Sequence, residues 1–139
     1  MDHNANAWSS ISDSTKKENY KNVDGGMVLE EISRFNLGSW NYKGQAPEQY
    51  RHYGPMAQEF YASFGHDGIG TIGNDTLLNT ADVDGILFIA IKALEKRTEE
   101  LTRKMTEIEE SNRIIIQLIK ENMELKSEVA VKRSIYKTE

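Results

Sequence analysis

Apolar residues recur every seven positions along the second half of the chain, in two parallel rows. The first row is Leu87, Leu94, Leu101, Ile108, Ile115, Asn122 and Val129, and the second is Ile91, Thr98, Met105, Asn112, Ile119 and Lys126. Such a repeat predicts one long helix, ending near Val131, that belongs to a coiled coil. We expect Asp82 or Asp84 to cap its start. The alternative is a helix packed on its own globular domain, but the first 85 residues are too few to cover such a length.

The two rows are not uniformly apolar, which leaves their register open beyond about Asn112. Three members of the rows are polar, Thr98, Asn112 and Asn122, the second row ends on Lys126, and the apolar Leu118 and Leu125 lie outside both rows. The three isoleucines at 114–116 leave room for a register shift. Isoleucine in both rows favours three strands over two, and a buried layer at Asn112 would fix the register at a cost in stability.

The first 85 residues predict short elements of both kinds. These are a helix over 13–23 capped by Ser12 or Asp13, a helix over 27–35, a strand over 39–43 and a helix over 55–64 with proline in its first turn. Glycine, proline and asparagine mark loops at 44–49 and 65–80, and a break at 24–26. The predicted fold class is α+β, mostly α, with a small N-terminal globular α+β part followed by a long C-terminal helix in a trimeric coiled coil.

Composition narrows the classes of partner and cofactor. The chain carries 17 Lys+Arg against 22 Asp+Glu, and the excess of acid lies in residues 1–85, with 6 basic and 12 acidic side chains. No basic stripe appears, so a nucleic acid partner is not expected. The absence of cysteine excludes a disulfide framework and a thiolate metal site. No apolar run approaches the roughly 18 residues that a membrane span needs, and the polar N-terminus is unlike a signal peptide.

A serine and two lysines near the N-terminus are the candidate chemistry. A lysine amine can act as the base for a serine nucleophile when burial lowers its pKa. On a regular helix Lys16 would share the face of Ser12, whereas Lys17 is better placed if the helix begins at Asp13 and Ser12 is extended. The spacing leaves both lysines open. The competing interpretation is a helix cap followed by a solvated cation.

Other motifs carry weaker predictions. Residues 68–73 match the dinucleotide-binding glycine pattern, but that pattern needs a strand before it and a helix after it, so we expect turn glycines. Residues 82–85 match part of a calcium loop without its remaining ligands. His3, His52 and His66 lack the spacing of metal ligands, and no cofactor or metal is expected. The aromatic residues predict a small core, or alternatively a sugar-binding face: Trp40, Tyr42, Tyr50, Tyr53, Phe60, Tyr61 and Phe64.

Five short motifs occur in a fixed order along the chain. They are Trp8-Ser9-Ser10-Ile11-Ser12-Asp13 with Lys17-Glu18-Asn19, Val23-Asp24-Gly25, Trp40-Asn41-Tyr42-Lys43, Gly54-Pro55-Met56-Ala57-Gln58-Glu59-Phe60 and Asp82-Val83-Asp84-Gly85. Together they resemble the endosialidase-type intramolecular chaperone, an autoprocessing serine peptidase domain at the C-termini of phage tail spikes and fibres and related bacterial surface proteins. The resemblance runs from Trp8 to Leu101. Each motif alone is unspecific, and their order before a coiled coil makes the match specific.

The resemblance implies a homotrimer that helps an upstream passenger of the same polypeptide to fold, in a virion tail fibre or spike or at a bacterial surface. It also implies self-cleavage between Ile11 and Ser12, with Ser12 and Lys17 as the catalytic dyad. Members often carry arginine shortly after Ser-Asp, where this chain has Ser14 and Thr15. The rival interpretations are a homotrimerisation module without cleavage and a carbohydrate-binding fibre tip.

The same reasoning divides the chain into four segments. Residues 1–11 are the end of the upstream passenger segment, and residues 12–85 are the globular chaperone and autoprocessing part. Residues 86–131 are the coiled-coil trimerisation helix, and residues 132–139 are a frayed tail.

Overall fold

The computed structural model describes residues 11–135, so the predictions that fall on 1–10 and 136–139 lie outside the described residues. The elements are one 3-10 turn and five regular elements: Ser14–Lys16, α1 Gly25–Arg34, β1 Gly38–Trp40, β2 His52–Gly54, α2 Ala57–Phe64 and α3 Thr80–Ile135. They form two units that divide between Asp75 and Thr76. The predicted class, α+β and mostly α with a small N-terminal part before a long C-terminal helix, is confirmed. The trimeric coiled coil stays a prediction.

The predicted helix over 13–23 is wrong, because only Ser14–Lys16 is helical. Asp13 caps this turn as predicted, its carboxylate accepting hydrogen bonds from Thr15 N at 2.9 Å and Thr15 Oγ1 at 2.8 Å. Asn19, three residues after the end of this turn, has a φ of 53°. This left-handed conformation lies outside the right-handed helical region, so no α-helix continues through it.

Helix α1 begins two residues earlier than predicted, because the sequence 24–26 starts the helix rather than separating two helices. The Asp24 carboxylate accepts a hydrogen bond from Gly26 N at 2.8 Å, and its carbonyl accepts one from Val28 N at 3.1 Å. An aspartate that satisfies the free N–H groups of the first turn offsets the poor helix propensity of two glycines. Val28, which follows them, is 1 % exposed.

Phe35, the residue directly after α1, contacts two phenylalanines of α2. The ring centroids of Phe35, Phe60 and Phe64 lie 5.3–6.4 Å apart, in tilted and edge-on arrangements that aromatic pairs prefer. Ser63 Oγ on α2 donates a hydrogen bond to Glu31 Oε2 on α1 at 2.7 Å. Phe60 and Val28 are the buried apolar side chains of the first unit within residues 11–75.

Between α1 and α2 in the sequence, the chain forms an antiparallel hairpin, which the sequence analysis predicted only in part. Strand β1 pairs with β2 in the register Gly38↔Gly54, Ser39↔Tyr53 and Trp40↔His52. The predicted strand over 39–43 is shorter and starts one residue earlier, and β2 was not predicted because three residues are too few to show an alternation. Helix α2 starts after its N-cap Met56, so Pro55 precedes the helix rather than forming its first turn.

Helix α3 is longer at both ends than predicted. It has 56 residues, a length of roughly 84 Å at 1.5 Å per residue. Asn79 caps its start, with Oδ1 accepting from Ala81 N at 3.1 Å and Nδ2 donating to Asp82 Oδ2 at 3.0 Å. The predicted caps are therefore wrong: Asp82 lies in the first turn and Asp84 inside the helix. The helix continues past Val131 to Ile135.

The apolar members of both heptad rows lie open to solvent on this single chain. They are between 47 % and 62 % exposed: Leu87, Ile91, Leu94, Leu101, Met105, Ile108, Ile115, Ile119 and Val129. Nothing in residues 11–135 therefore covers the face that the repeat defines. No helix of this described range is both long and apolar enough to cross a membrane.

Candidate functional site

The structure brings Ser12 and Lys17 together at the start of the described chain. Lys17 Nζ donates a hydrogen bond to Ser12 Oγ at 2.7 Å. The sequence left Lys16 and Lys17 as alternatives, and within residues 11–135 the lysine that reaches Ser12 is Lys17. A nucleophile and its candidate base are within hydrogen-bond reach, which is the first geometric requirement for this chemistry.

Backbone conformation explains why the lysine five positions away is the partner. Asp13, with φ −72° and ψ 123°, and Lys17, with φ −108° and ψ 139°, are both extended, and one 3-10 turn lies between them. Ser12 therefore precedes the turn and does not lie on a helical face, so the i,i+4 relation that would favour Lys16 does not apply. A turn with two extended flanks brings the side chains of residues 12 and 17 to one side.

Asp13 holds this turn in shape. The backbone N–H of Thr15, and then its hydroxyl, donate hydrogen bonds that hold the pKa of the Asp13 carboxyl below its usual range. The carboxyl is therefore ionised at neutral pH and keeps both hydrogen bonds. Thr15 supplies both donors of the cap.

The dyad and the peptide bond before it lie open to solvent in the single chain. Ser12 and Lys17 are exposed, and Ile11 is 77 % exposed. A lysine acts as a base only in its neutral form, and desolvation is the main way in which proteins favour that form. The contact is therefore in place, whereas the burial that would favour a neutral amine is absent from residues 11–135 of the single chain.

The aromatic residues do not form the single core that the sequence predicted. Tyr42, Tyr50 and Tyr53 are exposed at 61 %, 52 % and 86 %, so the prediction of a core position is wrong for these three. Trp40 instead contacts Tyr42 and His52, with ring centroids 4.9 Å away in both cases. Trp40 Nε1 and His52 Nε2 are shielded from solvent without a hydrogen-bond partner. This cluster lies on the hairpin, apart from the three phenylalanines.

The remaining motifs have ordinary structural explanations. The glycine pattern at 68–73 follows α2 directly and lies in a turn closed by the bridge between His66 and Thr71, so it lacks the strand and helix of a dinucleotide site. Asp82 and Asp84 lie within α3 and not in a calcium loop. Within residues 11–135 no group of three histidine, aspartate or glutamate side chains is arranged to hold a metal ion. His3 lies outside the described residues.

Comparison with protein families gives a match over residues 12–69 to the family described as the chaperone of endosialidase. The match begins at Ser12, includes Lys17, and extends through the hairpin and α2. The predicted resemblance is thereby confirmed over this range, since residues 12–69 are similar to the endosialidase chaperone family. A comparison with curated proteins gives no match.

The match to this family supports a chaperone role and a relationship to peptidases. It also links the chain to phage tail proteins and surface proteins, and to an upstream passenger in the same polypeptide. The match ends before Thr80, so α3 lies outside it, and the resemblance that the sequence suggested for residues 8–11 and 70–101 stays a prediction. The division of the chain into four segments also stays a prediction.

Proposed function

We propose that this chain is an intramolecular chaperone that trimerises through α3, assists the folding of an upstream fibre-like or spike-like passenger, and then cleaves itself between Ile11 and Ser12. The observation that carries the proposal is the 2.7 Å contact between Lys17 Nζ and Ser12 Oγ at the first residue of an endosialidase chaperone domain. The family match over residues 12–69 supports the chaperone role, and the dyad and the rows of α3 support the finer steps.

The proposed reaction is an N-to-O acyl shift followed by hydrolysis. Ser12 Oγ attacks the carbonyl carbon of Ile11, and the amine of Lys17 accepts the hydroxyl proton. The bond between Ile11 C and Ser12 N breaks, an ester forms to Ser12 Oγ, and the lysine returns the proton to the departing amine. Water then hydrolyses the ester, which releases the upstream segment and restores the serine hydroxyl.

Assembly is the proposed trigger for this reaction. A lysine base needs a pKa lowered from about 10.4 toward 7–8, and burial is the main cause of such a shift. The dyad is exposed in the single chain, so neighbouring protomers would have to supply the cover. Cleavage would then occur only after trimer formation, and the cut would report that the passenger has assembled.

The exposed rows of α3 support the proposed trimer. Burying a leucine or isoleucine side chain stabilises a fold by roughly 1.5–3 kcal/mol. Nine such apolar side chains lie 47–62 % exposed along one helix, at the spacing that coiled coils bury. An apolar surface of this extent is typical of an interface, and a heptad repeat is satisfied by copies of the same helix.

Intact mass spectrometry of the chain fused to its natural upstream segment tests the dyad. We expect the wild-type trimer to lose the segment that ends at Ile11. Ser12→Ala and Lys17→Ala are expected to retain it, because each removes one partner of the 2.7 Å contact. Lys16→Ala is the matched control, since it removes the adjacent lysine, and it is expected to be cleaved.

Three outcomes would contradict the proposal in different ways. Cleavage that survives both Ser12→Ala and Lys17→Ala would exclude the dyad. A trimer that assists its passenger but is never cut would favour the homotrimerisation module. Deleting residues 12–139 tests the chaperone role separately from the cleavage. We expect the passenger to misfold when these residues are absent. Glycan binding that disappears when exposed Tyr53 is replaced would instead favour the fibre tip.

A further inference from the structure

The segment that carries the dyad has little regular structure to hold it. Between Ile11 and Asp24 only the turn Ser14–Lys16 is helical, and every residue from 11 to 24 is exposed. A dyad works only if both side chains keep their geometry, and a misplacement of about 1 Å can cost roughly a hundredfold in rate. A contact that fixes this segment to the folded part of the first unit therefore has a direct bearing on cleavage.

One long-range contact of this kind is present. Lys21 Nζ donates a hydrogen bond to the backbone carbonyl oxygen of Asp67, 46 positions along the chain. Lys21 lies four residues after Lys17, a stretch that spans at most roughly 14 Å when fully extended. Asn19 lies between them in the left-handed conformation, with φ 53°, so the chain bends between the dyad and Lys21.

The acceptor belongs to a closed turn, residues 65–72, which we name the Asp67 turn. The Asp67 carboxylate accepts hydrogen bonds from Ile69 N and Gly70 N at 2.8 Å each, and Ile72 N donates to Gly65 O at 2.8 Å. The N–H groups of Gly70 and then Ile69 lower the pKa of the Asp67 carboxyl, and the Lys21 ammonium adds to this effect. The turn thus holds its shape by its own hydrogen bonds and presents a fixed carbonyl.

Glycine at position 68 leaves room for the ammonium group. Gly68 has a φ of +86°, a conformation that residues with a side chain rarely adopt, and a Cβ built there would lie 3.1 Å from Lys21 Nζ. A side chain at this position would strain the turn and displace the lysine. The position of Lys21 Nζ therefore depends on the glycine at position 68 of the Asp67 turn.

We propose that Lys21, bound to the carbonyl of Asp67, is a positioning residue that holds the Ser12–Lys17 dyad in place. The inference rests on the proposed self-cleavage. Lys21 does not touch the reacting atoms; it fixes the segment that carries them to the turn that follows α2. The predicted sequence elements gave no sign of this contact, because its two partners lie 46 residues apart and the acceptor is a backbone atom.

The first experiment measures the rate of cleavage at Ile11–Ser12 in the full chain with its natural upstream segment. We expect Lys21→Met to slow cleavage by roughly tenfold to a hundredfold, because the side chain keeps its length but loses its donor. Lys21→Arg is expected to restore most of the rate, since a guanidinium can still donate to a carbonyl. Lys16→Met makes the same substitution at another exposed lysine of this segment. It is the matched control and is expected to cleave at the wild-type rate.

A general loss of folding would not reproduce this pattern. Circular dichroism and the thermal midpoint of Lys21→Met are expected to match the wild type, since the hydrogen bond lies at the exposed surface. Gly68→Ala keeps Lys21 in the sequence but crowds its ammonium group from the side of the turn, and we expect it to slow cleavage as well. Wild-type rates in both Lys21→Met and Gly68→Ala would overturn the inference.

The second experiment does not depend on cleavage. In a Ser12→Ala background, a glutamate-specific protease cuts after Glu18, between the dyad and Lys21, and mass spectrometry follows that product. We expect Lys21→Met to accelerate this cut, because it frees the segment, while the cut after Glu48 in the distant loop serves as the internal control. An unchanged rate at Glu18 would overturn the inference even if self-cleavage occurs. A wild-type chain that never cleaves itself would instead defeat the proposed function.

Discussion

In the two units of this chain, side-chain hydrogen bonds join residues at very different separations along the sequence. In the first unit, side chains reach far along the sequence: Arg51 Nη2 donates to the Ser39 carbonyl across 12 positions, and Ser63 to Glu31 across 32. In α3, side chains bond their own helix, as when Thr98 Oγ1 donates to the Leu94 carbonyl four positions away. The first unit therefore depends on tertiary contacts, whereas the backbone of α3 is specified locally.

The difference also appears in where apolar surface is covered. The first unit buries Val28 and Phe60 within itself, although several tyrosines remain exposed. On α3 Ala90 is buried, whereas the apolar members of the two rows are 47–62 % exposed along its length. The local sequence therefore specifies the helix, but it does not bury the apolar rows that would stabilise it. This is the physical reason to expect further copies of the chain along these rows. Three substitutions break or sharpen this comparison.

The largest effect is expected in α3. Leu101→Glu places a charge in a heptad row, and losing the burial of one leucine costs roughly 1.5–3 kcal/mol per protomer, about three times that for a trimer. We expect loss of the trimer in analytical ultracentrifugation. Thr106→Glu introduces the same charge outside both rows and is the control, expected to stay trimeric. A Leu101→Glu chain that stays trimeric would show that this row is not the interface.

A smaller effect is expected in the first unit. Phe60→Ala removes the buried ring that contacts Phe35 and Phe64, and such truncations cost about 3–5 kcal/mol. We expect loss of the tertiary signal of the first unit in near-UV circular dichroism, with the far-UV helical signal of α3 largely kept. If both signals disappear together, the folding of α3 depends on the folding of the first unit. Exposed Tyr53→Ala, in the same unit, is the control expected to change little.

The smallest effect is a dependence on acid that belongs to the first unit. The pKa of the Asp67 carboxyl is lowered by the N–H groups of Gly70 and Ile69 in the folded chain. The stability that the ionised Asp67 carboxylate contributes is fully present above pH 3.8, the ordinary pKa of this group. It is lost as the pH falls through the lower pKa of the folded chain. We expect tryptophan-monitored urea midpoints to fall below about pH 4, and Asp67→Asn to weaken that fall. Glu48→Gln, in an exposed loop, is the control; an equal response in both variants would contradict the assignment.

The elements that could be predicted from sequence are those with a local signal. The 3.5-residue spacing of α3 is visible over many turns, so its existence was predicted correctly, and only its ends were wrong because Asn79 caps it before Asp82. Helix α2 was found from three apolar residues at helical spacing. Strand β2 was missed, since its three residues become a strand only by pairing with β1.

The candidate site shows the same limit at the level of single residues. Sequence placed a serine beside two lysines but left their geometry open, because a helix would favour Lys16 and an extended start would favour Lys17. The partner was decided by a single 3-10 turn capped by Asp13, with extended backbone on both sides. The sequence offered the cap as one of two possibilities and predicted a longer helix after it.

By itself, the sequence determined the long helix, the acidic composition and the family of residues 12–69, because periodicity, charge and motif order are read one residue after another. Tertiary structure decided which lysine meets Ser12, which tyrosines are exposed, and where Lys21 is held. Those outcomes depend on backbone turns and on contacts between residues up to 46 positions apart. No local pattern encodes them, since the free energy of a long-range contact depends on the whole path of the chain between its partners.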